Sequence, residues 1–279
     1  MKNIIGFVAC ILLGVVNAQE TDWVRQDLRG RVKSVTEVKT KAMIRVNHIE
    51  KYQQEYNRVS EFREDGLLQA EKFFDEENLP TYTVNYIYNE TNQLIHKDID
   101  SYNQFLKIDE IYTYEAHQTK ITVTENEVAV QERIQEFDAY KNLLSEKMRS
   151  LEEEGIFVNE ENKYNEQNQL TSKRVNYDQG EYEIRYSYNA KGLLTKEEVL
   201  VDGEVSTTKM RQYNEQNDLI AEKQFDQSMK LNYSVEIKYA YDQHNNWITR
   251  TQYHHKLDAP ISNTCLLYTS DAADDSLRV

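Results

Sequence analysis

Chemistry in a protein starts with side chains that can move protons, attack carbonyls or hold ions, and histidine is the first to examine. This chain has six. His254 and His255 are adjacent, and His244 and Trp247 lie shortly before them. Zinc needs ligands converging from one side, whereas neighbours on a strand point to opposite faces. Structural or solvent-exposed roles are therefore expected for these histidines. The run Glu152-Glu153-Glu154 before Gly155 reads as a solvated loop. A glycosidase needs two carboxyls about 5–10 Å apart, and no pair stands out. The calcium loop D-x-[DN]-x-[DN]-G is absent, as are G-x-S-x-G, the P-loop, H-E-x-x-H and G-x-G-x-x-G. No catalytic residue, cofactor or metal is assigned. An enzyme of unrecognised type would have its site at an open end of the fold, near Trp247, His244 and His254. Twenty tyrosines invite sugar binding, but they fall on one alternating face, which favours packing with the hydroxyl reaching water or a partner.

The elements that carry these residues begin with the two ends of the chain. Lys2, the apolar stretch Ile4 to Val16 and Val16-Asn17-Ala18 read as a signal peptide over residues 1–18, implying a periplasmic or extracellular protein. Lipid anchoring through Cys10 is the rival reading, disfavoured because the apolar run continues past it. No window is apolar and long enough for a transmembrane helix. From Cys265 the texture changes to Cys-Leu-Leu-Tyr-Thr-Ser-Asp-Ala-Ala-Asp-Asp, which resembles translated sequencing-adapter DNA, so 265–279 is expected to be non-native. Between Cys10 and Cys265 there is no cysteine, so neither a disulfide nor a thiol nucleophile is expected in the exported body. Of 279 residues, 48 are acidic and 33 basic, a formal net charge of −15. That excludes a general nucleic-acid binder, whose affinity comes from cations on phosphates.

An internal repeat decides the fold class. A seven-residue phrase recurs: aromatic, Asn or Asp, two variable residues, Gly or Asn, one variable, Leu. Its heads are Phe62, Tyr88, Tyr114, Phe137, Tyr164, Tyr188, Tyr213 and Tyr241, spaced 26, 26, 23, 27, 24, 25 and 28 residues apart. Gly66, Asn92, Asn168, Gly192, Asn217 and Asn245 hold the fourth place of the turn. Asn or Asp first and Gly or Asn fourth make a type I turn closed by a left-handed residue, the common bulged hairpin loop. Tyr182, Ile184, Tyr186 and Tyr188 alternate with Glu183, Arg185 and Ser187, and Tyr233 to Tyr241 repeats the pattern. Alternation of this length marks half-buried antiparallel strands. The expected fold is all-β: a meander of about eight hairpins, or sixteen strands, coiled into an elongated shell or barrel-like sheet. Residues 19–30 lead in, 31–257 form the repeat domain and 258–279 a tail.

The phrase resembles the YD repeat of bacterial Rhs-type proteins over roughly residues 52–253. It departs from Y-D-x-x-G-R-L in using Asn for Asp, keeping Gly in two heads, and lacking Arg before Leu. Leu28-Arg29-Gly30-Arg31-Val32-Lys33-Ser34-Val35-Thr36-Glu37 likewise resembles the opening of small secreted proteins carrying such repeats. The resemblance implies a long antiparallel sheet that spirals or closes, in large relatives around a toxin domain. Tyr, Val, Ile and Leu are expected on the inward face, and Lys, Glu, Thr and Asn outside. Tyrosine in mid-strand and the lack of an apolar lipid-facing band weigh against an outer-membrane barrel. The function expected is that of a non-enzymatic exported scaffold or binding module for a protein or glycan of the envelope. A shell fragment of a longer toxin-like polypeptide is the other alternative.

Overall fold

The computed structural model describes residues 21–270, apart from 27, 29–30, 46–47, 104, 153–157, 178–179, 244 and 255–259. The signal-like segment with Cys10, and His244, His255, Glu153, Glu154, Gly155 and 271–279, lie outside them.

The alternating segments become strands. They are β1 (Val32–Arg45), β2 (His48–Phe62), β3 (Leu68–Phe74), β4 (Pro80–Tyr88), β5 (Leu94–Ser101), β6 (Leu106–Tyr114), β7 (Gln118–Glu125), β8 (Val128–Phe137) and β9 (Leu143–Ser150). The second half continues with β10 (Val158–Tyr164), β11 (Leu170–Tyr177), β12 (Gly180–Tyr188), β13 (Leu194–Val201), β14 (Glu204–Tyr213), β15 (Leu219–Asp226), β16 (Leu231–Tyr241), β17 (Trp247–His254) and β18 (Pro260–Ser270). Each pairs antiparallel with the next, and β18 pairs with β1 over Lys41↔Ser262 to Val32↔Ser270. The sheet is a closed barrel with no free edge. This settles the choice between shell and barrel, and corrects the count to eighteen strands. The phrase marks only the turns of one rim, β2–β3 through β16–β17. The strands outside it, β1 and β18, meet each other by closure, which needs no turn. Residues 260–270, assigned by sequence to a tail, form β18.

Each head ends an even-numbered strand, and in seven of the eight the fifth residue of the phrase has positive φ: Gly66 (82°), Asn92 (62°), Lys141 (68°), Asn168 (58°), Gly192 (82°), Asn217 (72°) and Asn245 (61°). Asn89 shows the bonding. Its N–H donates to Gln93 O at 2.9 Å, its carbonyl accepts from Asn92 N at 2.9 Å, and its Oδ1 accepts from Thr91 N and Gln93 N. A one-residue register shift precedes each of these heads, as between Ile87 and Tyr88, the bulge a left-handed loop residue produces. The Tyr114 unit has no such residue and turns more tightly, Glu115 N donating to Gln118 O at 2.8 Å.

Neighbouring repeats are stitched along this rim. The hydroxyls of Tyr114, Tyr164, Tyr188 and Tyr213 donate to the carbonyls of Leu94, Leu143, Leu170 and Leu194 at 2.6–3.0 Å, each leucine closing the preceding phrase. At the last step Tyr239 takes Leu219 O, and Tyr241 turns to Asp218. A head tyrosine therefore needs one side of its ring against the wall and its hydroxyl on a backbone acceptor. Among the heads only Phe62 is fully buried; Tyr114 is 37% exposed and the rest are half-buried. The expectation that the rings hide from water is corrected accordingly.

Apolar burial concentrates at the seam where the first and last strands meet. Leu28, Val32, Val35, Phe62, Leu68 and Leu266 form the core cluster, with Trp23, Tyr86 and Trp247 packed against it. Helix α1 (Asp22–Arg25) is N-capped by Thr21 and holds Trp23 over the first head turn. The indole Nε1 donates to Val32 O at 2.7 Å. A Cβ on Gly66 would lie 2.6 Å from the ring, so glycine is required there twice, for φ and for space.

Candidate functional site

Cross-strand partners share a face, so register assigns every side chain to one wall. Pairs such as Val35↔Ser60, Ser60↔Glu71, Glu71↔Val84 and Tyr86↔Lys97 lie on one wall, and Lys72↔Thr83 and Lys196↔Met210 on the other. Cations of the second wall (Lys72, Arg149, Arg174, Lys196, Lys238) leave 37–61% of their side chains exposed. Those of the first (Arg58, Lys97, Arg133, Arg211) leave 13–32%. The crowded wall is the concave one. Eighteen strands leave a lumen too wide for opposite walls to fill.

The inner wall is not the apolar surface expected. Glu37 accepts from Arg58 Nη2 at 2.5 Å and from the Tyr56 hydroxyl at 2.9 Å. Glu71 accepts from Arg58, Ser60 and, at 2.6 Å, Tyr86. Glu110 accepts from Arg133 and the Tyr112 hydroxyl at 2.6 Å and pairs with Lys97 at 3.2 Å. Lys97 Nζ also lies 5.8 Å from the ring centres of both Tyr86 and Tyr112. Glu160 pairs with Lys173, and Glu197 with Lys209 and Arg211, which continues to Glu222. Apart from the Tyr112–Glu110 bond within β6, each of these links joins strands one or two places apart.

Their electrostatics follow from half-burial. Desolvation pushes Tyr56, Tyr86 and Tyr112 well above the ordinary phenol, and the carboxylates of Glu37, Glu71 and Glu110 push the same way. Burial alone would raise Glu110, but Lys97, Arg133 and the Tyr112 hydroxyl outweigh it and hold the carboxyl below its usual range. For Arg58 burial opposes the charge, and Glu37 and Glu71 overcome it.

One regularity organises the wall. The residue nine places after the head is charged in seven of eight repeats: Glu71, Lys97, Glu146, Lys173, Glu197, Glu222 and Arg250. Val123 stands in the irregular unit. Place nine follows the phrase, beyond the turn, and lies on the inner wall with the tyrosines. It is legible in the sequence once the repeats are aligned past their leucine; dividing each strand into one apolar and one charged face hides it. Six of the seven engage inner-wall partners, Glu146 through Gln135. Arg250, cross-strand from Tyr239 and Thr264, makes no ion pair among the described residues, and its buried Nε has no partner.

The histidine grouping does not assemble. Trp247 and His254 stand at opposite ends of β17, and His254 packs on Tyr233 at 5.4 Å between centroids. His96 bonds Asp109 at 2.8 Å on the outer wall. Among the described residues no three His, Cys, Asp or Glu side chains converge as a metal would require. Glu152 is exposed in the turn after β9. No helix among the described residues is long and apolar enough to cross a membrane.

No protein-family model matches the chain. No curated protein matches it either. Among solved structures it is similar to a porin-like protein from Bacteroides uniformis, at 8% identity and TM-score 0.48, covering 85% of this chain and 96% of that one. A porin-like protein from Bacteroides vulgatus gives 9% identity and TM-score 0.29, covering 85% and 98%. The Tc holotoxin pore of Photorhabdus luminescens gives 11% identity and TM-score 0.29, covering 74% of this chain and 14% of that one. Likeness at this level says nothing of what the present chain does.

Proposed function

We propose that this chain is an exported, non-enzymatic barrel, built from degenerate YD-like repeats, that works in water and binds an envelope glycan on its inner wall. The carrying observation is the recurring charged place nine set among half-buried tyrosines on the concave wall. Aromatic rings bordered by paired charges suit polyhydroxylated chains, whose apolar faces stack while their hydroxyls join the ion-pair network. Arg250, without an ion pair among the described residues, offers donors to such a ligand. The outer wall supports an aqueous setting, because Glu61, Lys72, Lys147, Arg174, Arg185 and Lys238 face outward, and a cation at bilayer mid-depth costs about 2–4 kcal/mol. The signal-like segment, the acidic charge of −15 and the motif-free sequence fit the same reading.

The test is purification of residues 19–279 without detergent, followed by a glycan array and titration of its hits. Monodisperse protein whose affinity drops at least tenfold in Arg250→Gln supports the reading. Solubility only in detergent, or no glycan bound by a folded barrel, refutes it.

A further inference from the structure

The two rims are built differently. In the head turns the left-handed positions hold Gly, Asn or Lys, and among their described residues only Tyr140 is a strongly exposed large apolar side chain. On the opposite rim, four of the seven turns from β3–β4 to β15–β16 present one or more: Leu79 (56%), Tyr102 (48%) with Phe105 (93%), Leu151 (44%) and Met229 (55%). Beside the other three stand the strand-end residues Val128 (63%), Tyr177 (45%) and Val201 (45%). Isolated exposed leucines are ordinary, but one in or beside each of seven successive turns is a concentration of apolar surface on one rim.

Backbone strain adds an independent observation. Phe105 has φ of 50° and Met229 of 61°, a region bulky residues avoid and Gly or Asn fill readily. Neither side chain is buried, so the strain is not offset by packing within the barrel. Bulky residues kept at strained, exposed positions point to a contact made outside the chain.

Charge selects the occupant. Asp75, Glu76, Glu77, Glu127, Asp202 and Glu204 stand among these apolar tips, with Lys230 the cation within those turns among the described residues. A second copy meeting rim to rim would oppose two acidic rings, and an anionic lipid surface would be repelled in the same way. We propose that this rim docks a protein surface that is both basic and apolar. The proposal concerns the turns and stands apart from the inner wall.

The experiment measures binding of the exported chain to an 18-residue amphipathic Leu/Lys helical peptide, beside its Leu/Glu counterpart. The double variant Phe105→Asn, Met229→Gly should melt no lower than the parent and bind the Leu/Lys peptide at least tenfold more weakly. Tyr140→Asn, on the other rim, should leave binding unchanged, and the Leu/Glu peptide should not bind. No Leu/Lys binding by the parent, or equal binding by the double variant, overturns the proposal. So does a variant that melts well below the parent, since the two side chains would then be packing residues. Binding to 3:1 phosphatidylcholine–phosphatidylglycerol vesicles that the variant loses would assign the rim to lipid. A dimer in light scattering that the variant dissolves would assign it to a second copy.

Discussion

Raising the pH attacks the tyrosine wall directly. Burial, reinforced by neighbouring carboxylates, pushes Tyr56, Tyr86, Tyr88, Tyr112 and Tyr186 far above the free phenol. Tyr164 is pushed up to about 12 by burial and then by Glu160 and Asp138. Because the folded state holds these protons more tightly, their stabilisation is complete below the unfolded pKa near 10 and is lost as pH rises toward the folded value. A phenol that stays neutral when folded loses about 1.4 kcal/mol of stabilisation by pH 11. Water reaches these half-buried rings, so about half that figure is appropriate. The five together then cost about 3–4 kcal/mol by pH 11, and tyrosines such as Tyr82, Tyr182, Tyr213 and Tyr233, raised by burial, add losses of the same sign. Repulsion in a chain already at −15 acts in the same direction. Against a total stability of about 5–15 kcal/mol, the barrel should open cooperatively as pH rises past about 11.

The assay pairs tyrosinate absorbance near 295 nm with far-ultraviolet circular dichroism on one sample. The part of the absorbance that belongs to the inner-wall tyrosines should stay low past pH 10 and then rise together with loss of the β-sheet signal. Glu71→Gln removes the carboxylate charge that Tyr86 donates to, and should move the rise of that phenol toward the ordinary range. A broad titration centred on pH 10, with all twenty tyrosines ionising while the sheet persists, would show that the rings face open water and refute the inner-wall assignment.

Other perturbations read other parts of the barrel. Tyr213→Phe deletes the hydroxyl bonded to Leu194 O at 2.7 Å and should cost about 1 kcal/mol in urea unfolding, whereas Tyr188→Ala should cost about 2 kcal/mol, below the about 3–5 of a buried aromatic, because its ring is half-buried. In acid, Glu110 stabilises the fold above its unfolded pKa and loses that contribution as pH falls through its depressed folded value; Glu110→Gln should flatten the acid limb of a stability–pH curve. Gly66→Ala meets Trp23 at 2.6 Å while Gly203→Ala meets nothing within 4 Å, so melting temperature should drop much further for the first, although both glycines share φ near 80°.

How much the sequence discloses depends on how local the cause is. The head turn is written in adjacent residues: Asn or Asp bonds its own loop, and Gly or Asn enters the left-handed region. All-β class and hairpin order were therefore readable. The stitching of Tyr164 to Leu143 was not, since it joins residues from successive repeats whose register no single repeat contains. Closure through β18 and β1 was hidden for a similar reason: Glu37 faces Leu266 and Val35 faces Tyr268, pairings that join opposite ends of the chain and leave no local mark. The inner-wall charges run against a physical assumption, that an inward face must be apolar. In a small barrel it would be, because opposite walls touch and an unpaired charge could not be tolerated. In a barrel of eighteen strands the lumen admits water, so Glu71, Lys97 and their equivalents can face inward if a neighbouring strand supplies the counter-charge. Strand number, which only closure reveals, thus decides whether place nine must be leucine or can be charged, and with it whether the barrel has an apolar core or a wall that can bind.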